Sequence, residues 1–439
     1  MKLAELFGLS SRRETPSERE NGRAVSSLLL ACRQLLSERG EISAARLATE
    51  ILRSYEALDE SARELFFDRL VKEFSPNPEK AGQAGDAYRE NPSPENLAKL
   101  QRAVEPPRQE LFRRLNVAPG GTRFLVEMRG HLIGSPGSNC ARAPIAADLK
   151  HLLTSWFNRG FLVLQRIDWR TSATVLEKLI RYEAVHQIQG FGDLRRRLLE
   201  DRRCYAFFHP ALPEEPIIFV EAALIQGMGD RVQPLLDPES PVVNPESADC
   251  AIFYSITNCQ EGLRGVPMGS FLIKQVVEDL GRAFPRIRRF ATLSPVPGFR
   301  EWLRENGPSM APISALAKLD EPDWFKHPKL SVELERILVP LCAYYLLRAR
   351  RGNEPIDPVA RFHLRNGARL ERINWLGDSS KTGIERSAGL TLNYRYRLND
   401  LERNHELYTR DYRVAASRDI EALAKQAVTS LGRSSRNTP

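Results

Sequence analysis

Ala251-Ile-Phe-Tyr-Ser-Ile256 runs within a few residues into Gln260-Glu-Gly262-Leu-Arg264-Gly265-Val-Pro-Met-Gly269-Ser270. The first segment is short, apolar and rich in β-branched and aromatic residues, which reads as a buried strand. The second is a glycine-rich loop. An amphipathic helix is expected from about Ser270 to Phe284, and Arg289-Phe-Ala-Thr-Leu293 is the next strand. Strand, loop, helix, strand is the signature of an α/β layer.

Upstream, Gly160-Phe-Leu-Val-Leu-Gln-Arg-Ile167 reads as a strand. Ser172 to Tyr182 reads as a helix with Val175, Leu176, Leu179 and Ile180 apolar. Cys204-Tyr-Ala-Phe-Phe208 and Pro216-Ile-Ile-Phe-Val220 are strands, separated by a turn holding Pro210, Pro213 and Pro216. The order is β-α-(α)-β-β-β-loop-α-β. Long helices are expected over 330–351 and 416–430.

The first 120 residues read as helices. Thr15-Pro16-Ser17-Glu18 fits a capping box with proline at the first helical position. Val25, Leu28, Leu29, Cys32, Leu35 and Leu36 follow at helical spacing, and Gly40 stops the run. Ser43 and Ser61 are read as caps of two further helices, with Leu47, Ile51, Leu52 and Tyr55, then Leu65, Phe66, Leu70 and Phe74, inward. Pro76 and Pro78 break the pattern. Ser93-Pro94 starts another helix, and its partner runs over Leu111 to Leu115 and ends near Gly120-Gly121. Such short connections predict an antiparallel bundle, a packing or oligomerisation domain over residues 1–150. The catalytic domain is then expected over 151–439.

Composition limits the function. The 439 residues are 42% hydrophobic and 27% charged, which excludes wholesale disorder. The net charge of +8 suits a polyanion or a phosphorylated ligand. No block of like charge forms a nucleic-acid tail. The arginine clusters at 195–197, 202–203, 286–289 and 348–351 are interrupted by apolar residues and read as solvated helix faces or strand ends. Cys32, Cys140, Cys204, Cys250, Cys259 and Cys342 form no CxxC pair and no zinc spacing. No run reaches the roughly 18 apolar residues of a membrane span. Glu5 comes too early for a secretory signal, and the C-terminus carries no peroxisomal tripeptide. A cytoplasmic protein in a reducing compartment, bound to neither nucleic acid nor membrane, is expected.

Three constellations carry chemistry. In the loop from Gln260 to Ser270, glycines let backbone approach a ligand, and the N–H groups opening the following helix suit a phosphate. It lacks the Walker Gly-Lys-Ser/Thr and the GxGxxG pattern. The plainer alternative is an ordinary strand–helix turn. In Thr292-Leu-Ser294-Pro-Val-Pro-Gly-Phe299 a serine follows an apolar strand and is locked by two prolines, at the sheet edge where open α/β sheets bind ligands. It is no G-x-S-x-G elbow. The alternative is a serine capping the helix of Trp302 and Leu303. Phe362-His363-Leu-Arg-Asn-Gly-Ala368, with Arg372-Ile-Asn374-Trp375 and Asn393-Tyr394-Arg395-Tyr396, is polar, aromatic and cationic. Histidine is the side chain best suited to moving a proton at neutral pH. His186 and His209 are its rivals.

Taken together, these segments resemble the malonyl-CoA decarboxylase family. The resemblance rests on Glu183-Ala-Val-His186, Arg203-Cys-Tyr205, the strand from Ala251, Gln260-x-Gly-Leu-x-Gly265, Gly269-x-Phe-Leu-Ile-Lys274, Phe290-x-x-Leu-Ser-Pro-x-Pro-Gly-Phe299, His363-Leu-Arg-Asn-Gly-Ala368, Asn374-Trp375 and Asn393-Tyr-Arg-Tyr396. It covers about residues 120–400. It implies a helical N-terminal domain followed by an acetyltransferase-type (GNAT) domain with a mixed sheet. It also implies conversion of malonyl-CoA to acetyl-CoA and carbon dioxide with no metal or organic cofactor. The catalytic pair it implies is Ser294 and His363. The substrate-binding stretch it implies is Arg264, Gly265, Val266, Pro267, Met268, Gly269 and Ser270, whose pattern is similar to the coenzyme A pyrophosphate loop of acetyltransferases. A homo-oligomer, dimer or tetramer, is expected, and the departure from animal members, which carry a mitochondrial leader and a peroxisomal tail, implies a bacterial cytoplasmic enzyme.

The chemistry fits the residue types. Loss of carbon dioxide leaves an enolate on the thioester oxygen, which needs fixed donors. Ser294 is suited to orient the carboxylate or the carbonyl. A protonated His363 is suited to deliver a proton to carbon or to stabilise the oxygen. Two other readings remain: an acyltransferase of the same fold, or a non-catalytic acyl-CoA sensor or basic nucleic-acid binder.

Overall fold

The apolar stripes of the first 160 residues fold into helices, α1 (Pro16–Ser37), α2 (Glu41–Glu56), α3 (Glu60–Glu73), α4 (Pro78–Glu90), α5 (Pro94–Val104), α6 (Pro107–Val117), α7 (Gly121–Gly134) and α8 (Ala143–Trp156). The structure is a computed structural model describing residues 16–134, 141–268 and 272–434. Thr15 lies outside the described residues. Val25, Leu28, Leu29, Cys32 and Leu35 are buried on the face of α1 that packs on α2, α3 and α6.

Several helix starts differ from the sequence reading. α3 is capped by Asp59, not Ser61: the Asp59 carboxylate accepts from the Ala62 N–H at 2.7 Å, and Ser61 donates to Asp59. The charged oxygen is the stronger acceptor. α2 begins before Ser43, whose hydroxyl donates back to the Gly40 carbonyl. Pro78 opens α4 beneath an Asn77 cap instead of breaking the pattern. Gly121 likewise begins α7 instead of ending a helix.

The second part alternates strands and helices: β1 (Val163–Ile167), α9 (Ala173–Tyr182), α10 (Phe191–Arg197), β2 (Arg202–His209), β3 (Leu212–Ile225), α11 (Gln233–Leu236), β4 (Cys250–Asn258), α12 (Leu272–Ala283), β5 (Arg289–Thr292), β6 (Ser294–Pro295), α13 (Phe299–Asn306) and α14 (Ile313–Ala317). It continues with α15 (Pro328–Arg348), β7 (Arg350–Arg351), β8 (Glu354–Pro355), α16 (Pro358–Arg365), β9 (Arg369–Asn374), α17 (Lys381–Ser387), β10 (Thr391–Arg395), α18 (Leu398–Asp411) and α19 (Arg418–Ser434).

The main sheet has the order β1-β2-β3-β4-β5-β10-β6, with β9 also paired to β10. β1 to β4 are antiparallel, and β5 runs parallel to β4 after the α12 crossover. The sheet is therefore mixed, antiparallel on one side of β4 and parallel on the other. The β4–β5 ladder ends at Phe253↔Thr292, and the chain then leaves β4: Ser294 pairs with Leu392 of β10 instead. A bulge in β4, between Phe253 and Ser255, lies beside this departure. The sheet therefore opens where Ser294 sits.

Two compact units result. One runs to Asn158 and takes in the separate piece Gln260–Pro267; the other comprises Arg159–Cys259 and the chain from Met268 onward.

Candidate active site

Ser294 and His363 meet. Ser294 is placed by the short β6 pairing, and His363 by α16, whose start is fixed by Asp357 at the N-cap and Pro358 at the first helical position. The Asp357 carboxylate accepts from the Ala360 N–H at 2.7 Å. The two side chains come within hydrogen-bond reach at 3.0 Å between Ser294 Oγ and His363 Nε2. Both are nearly buried, at 7% and 3% exposure. Ser294 caps no helix: α13 starts at Phe299 after Gly298, with no side-chain cap.

The pair belongs to a longer chain of polar groups. His363 Nδ1 lies 2.7 Å from the Tyr396 hydroxyl. Ser294 Oγ donates to Thr292 Oγ1 at 2.9 Å, and Thr292 Oγ1 donates to the Leu392 carbonyl. Thr292 Oγ1 also accepts from the Tyr394 N–H. One assignment of hydrogens satisfies every member. Tyr396 donates to Nδ1, Nε2–H donates to Ser294, and Ser294 donates to Thr292. The Tyr394 ring stacks on the imidazole at 4.2 Å between centroids and 25° between planes.

Burial sets the charge states. His363 has no carboxylate partner among the described residues, and desolvation pushes its pKa down to about 3. It is therefore a neutral imidazole at physiological pH, which corrects the expectation of a protonated ring. Burial raises the Tyr396 hydroxyl well above its usual range, so it is protonated in the resting site. Asp357 is pushed up to about 6 by burial, against the hydrogen bonds from α16 that favour its charged form.

His186 and His209 sit elsewhere. The His209 Nδ1 accepts from the Ala211 N–H within the β2–β3 turn. His186 follows α9 in the turn held by Glu183, which accepts from the Val185 and His186 N–H groups and from Ser255 Oγ. Its buried Nε2 has no hydrogen-bond partner among the described residues, and burial lowers its pKa.

The proposed substrate stretch is described only in part, because Gly269 and Ser270 lie outside the described residues. Arg264, Gly265, Val266 and Pro267 belong to the helical unit, and Met268 to the sheet unit. Arg129 of α7 donates to the Gly262 and Arg264 carbonyls, the latter at 2.9 Å. Gly262 packs so tightly that a Cβ there would stand 1.8 Å from the Val126 carbonyl oxygen. Gly265 turns with φ of 73°, a conformation that favours glycine. Arg264 is mostly exposed and pairs with Glu261. Among the described residues no three His, Cys, Asp or Glu side chains gather as a metal site. The described cysteines are free and buried. No described helix is long and apolar enough to cross a membrane.

Thr292, Tyr394, Tyr396 and Asp357 went unassigned in the sequence reading. Spacing held a signal: 292 with 294, and 394 with 396, are strand positions two apart and so share a face. Asp357-Pro358 is a cap-and-proline start.

The comparisons agree with one another. The N-terminal domain of malonyl-CoA decarboxylase matches residues 74–157, and its C-terminal domain matches residues 160–434. The mitochondrial malonyl-CoA decarboxylase of Anser anser anser is 37% identical over 354 residues, covering 74% of this chain and 70% of that protein. The mouse protein is 36% identical over 360 residues, covering 75% and 73%. The crystal structure of malonyl-CoA decarboxylase from Rhodopseudomonas palustris superposes with a TM-score of 0.88 at 47% identity, covering 91% of this chain and 99% of that one. The Cupriavidus metallidurans structure gives 0.72 at 34%, covering 92% and 100%. With both domain models matched in order, and relatives aligned over most of its length, this chain belongs to the malonyl-CoA decarboxylase family.

Proposed function

We propose that the protein is a carboxy-lyase that converts malonyl-CoA to acetyl-CoA and carbon dioxide, with Ser294 and His363 as its catalytic pair. Family membership supports the reaction. The buried chain Tyr396–His363–Ser294–Thr292 is the observation that supports the assignment of residues.

In this reading the bond between the α-carbon and the carboxylate breaks. Carbon dioxide leaves, and its bonding pair flows into the thioester, giving an enolate. The Ser294 hydroxyl turns from Thr292 to the thioester oxygen and stabilises the charge that develops there. The enolate carbon, a much stronger base than imidazole, takes the Nε2 proton of neutral His363. Tyr396 passes its proton to Nδ1 in the same step, and solvent restores the proton consumed. The substrate carboxylate reacts beside groups shut off from water, where its charge is poorly solvated. The stretch from Arg264 to Ser270 holds the coenzyme A portion. The thioester is the electron sink, so the reaction calls on no metal or organic cofactor. The helical unit serves self-association of a cytoplasmic homo-oligomer.

The test is to incubate the purified protein with malonyl-CoA alone and identify the products. Stoichiometric carbon dioxide and acetyl-CoA are expected. Intact ligand would favour a sensor. Turnover only after an amine is added would favour an acyltransferase.

A further inference from the structure

We propose that the hollow between the end of α15 and the α18–α19 turn binds a small, multiply charged phosphate anion. The hollow has a volume of about 380 Å³ and is lined by Arg348, Arg350, Arg413 and Lys425, with Glu421 as the one carboxylate on its wall. Arg348 and Arg413 make no ion pair with any described residue, although ion pairs are abundant elsewhere in the chain. The Arg350 guanidinium donates to the Leu347 and Asn353 carbonyls and reaches no carboxylate. Burial lowers its pKa, and neighbouring Arg348 lowers it further.

A plainer account is that these cations complement the negative end of α15. It covers Arg350, which bonds the Leu347 carbonyl of the last helical turn. It does not cover Arg413, which arrives from a different element. Tyr412 ends α18 at φ of 52°, and the Tyr412 and Arg413 N–H groups close back on the Tyr408 and Leu407 carbonyls. A left-handed tyrosine is uncommon. Here it turns the chain so that Tyr412 and Arg413 both line the hollow.

Three arginines that reach no carboxylate among the described residues, against the single Glu421 on the wall, call for a ligand with at least two negative charges. Guanidinium groups match phosphate by paired hydrogen bonds, better than they match a point charge. The volume lies near the small end for small-molecule sites, which suits a diphosphate or a short phosphate ester and not a nucleic-acid duplex. The hollow also adjoins the helix of His363. Arg350 and Arg351 pair with Glu354 and Pro355 in the β7–β8 hairpin. Glu354 bonds both Arg365 of α16, at 2.7 Å, and the Tyr408 hydroxyl, at 3.1 Å.

The experiment is calorimetric titration of the full chain with inorganic pyrophosphate, in the presence of saturating coenzyme A. Coenzyme A then occupies whatever groups serve its own diphosphate. One site per chain is expected, weakening steeply as salt rises from roughly 0.05 to 0.5 M. Arg348→Glu with Arg413→Glu should weaken it at least ~100-fold while malonyl-CoA turnover persists. If that variant does not fold, Arg413→Gln should still weaken binding ~10-fold. No binding by the parent protein, loss of the heat when coenzyme A is added, or equal affinity in a folded variant would each overturn the site.

Discussion

The Tyr396 hydroxyl stands 2.7 Å from Nδ1 of His363, and this contact determines which ring nitrogen presents a hydrogen to Ser294. A donor at Nδ1 leaves Nε2 as the N–H side. Tyr396→Phe removes the donor and keeps the ring, so the imidazole loses its preferred tautomer without losing its place. Turnover should fall ~10- to 100-fold with little change in malonyl-CoA KM. A kcat within twofold of the parent value would show that Tyr396 does not set the ring.

If Ser294 and His363 act on one bound thioester, as proposed, their losses should overlap. Ser294→Ala and His363→Asn should each lower kcat ~10²–10⁴-fold, and the double variant should be scarcely slower than the worse single. Multiplicative losses in steady-state kinetics would mean that the two residues act independently. His186→Asn in a folded protein should cost less than His363→Asn; the reverse order would make His186 the proton donor.

Acid should act on the fold through His363 before it acts on the chemistry. Its folded pKa of about 3 lies below the ordinary value of 6.5. As pH falls between these values, the unfolded chain takes up a proton that the folded chain refuses. Stability contributed by this group is therefore whole above neutral pH and drains away toward pH 3. Within about pH 5 to 8 the ring should not titrate at all. Proton NMR of the histidine C2–H signals, with His363→Asn to assign the resonance, checks this. A His363 signal with a midpoint near 6.5 would contradict a neutral, desolvated ring.

Gly262 tests the loop by sterics. Its Cβ would stand 1.8 Å from the backbone oxygen of Val126, which cannot rotate away. Gly262→Ala should cost roughly 2 kcal/mol or more and lower the melting temperature. If the displaced loop binds coenzyme A, malonyl-CoA KM should rise while kcat at saturation changes less. An unchanged melting curve would mean that α7 and the loop part easily.

Much of this was legible in residue order. The strand at Ala251, the helix before Arg289 and the helix from Ser172 to Tyr182 follow from apolar periodicity. The Ser294–His363 contact itself was not, because 69 residues separate the two and no local pattern spans that gap. The motifs of the family supplied it. α4 was missed because Pro76 and Pro78 were read as breaks, and its sequence, mostly Ala, Gly and charged residues, offers no apolar stripe. The strands after residue 365 pair with each other only about twenty positions apart, but they escaped notice because β9, Arg369-Leu-Glu-Arg-Ile-Asn374, is mostly polar and charged and gives no apolar run. The charge state of His363 is a property of its surroundings. Only the packed structure, with the ring buried and no described carboxylate beside it, makes it neutral.

Arg129 also has a bearing on how the chain can be divided. The polypeptide leaves the sheet unit after Cys259, spends eight residues among the helices, and re-enters at Met268. The two units are thus stitched by three strands of backbone instead of one linker. A fragment starting at Arg159 would carry Gly262 and Arg264 without the arginine that grips their carbonyls. Cutting between the halves would leave the sheet unit with an unanchored stretch of chain, because the cut passes through packed structure and not through a linker.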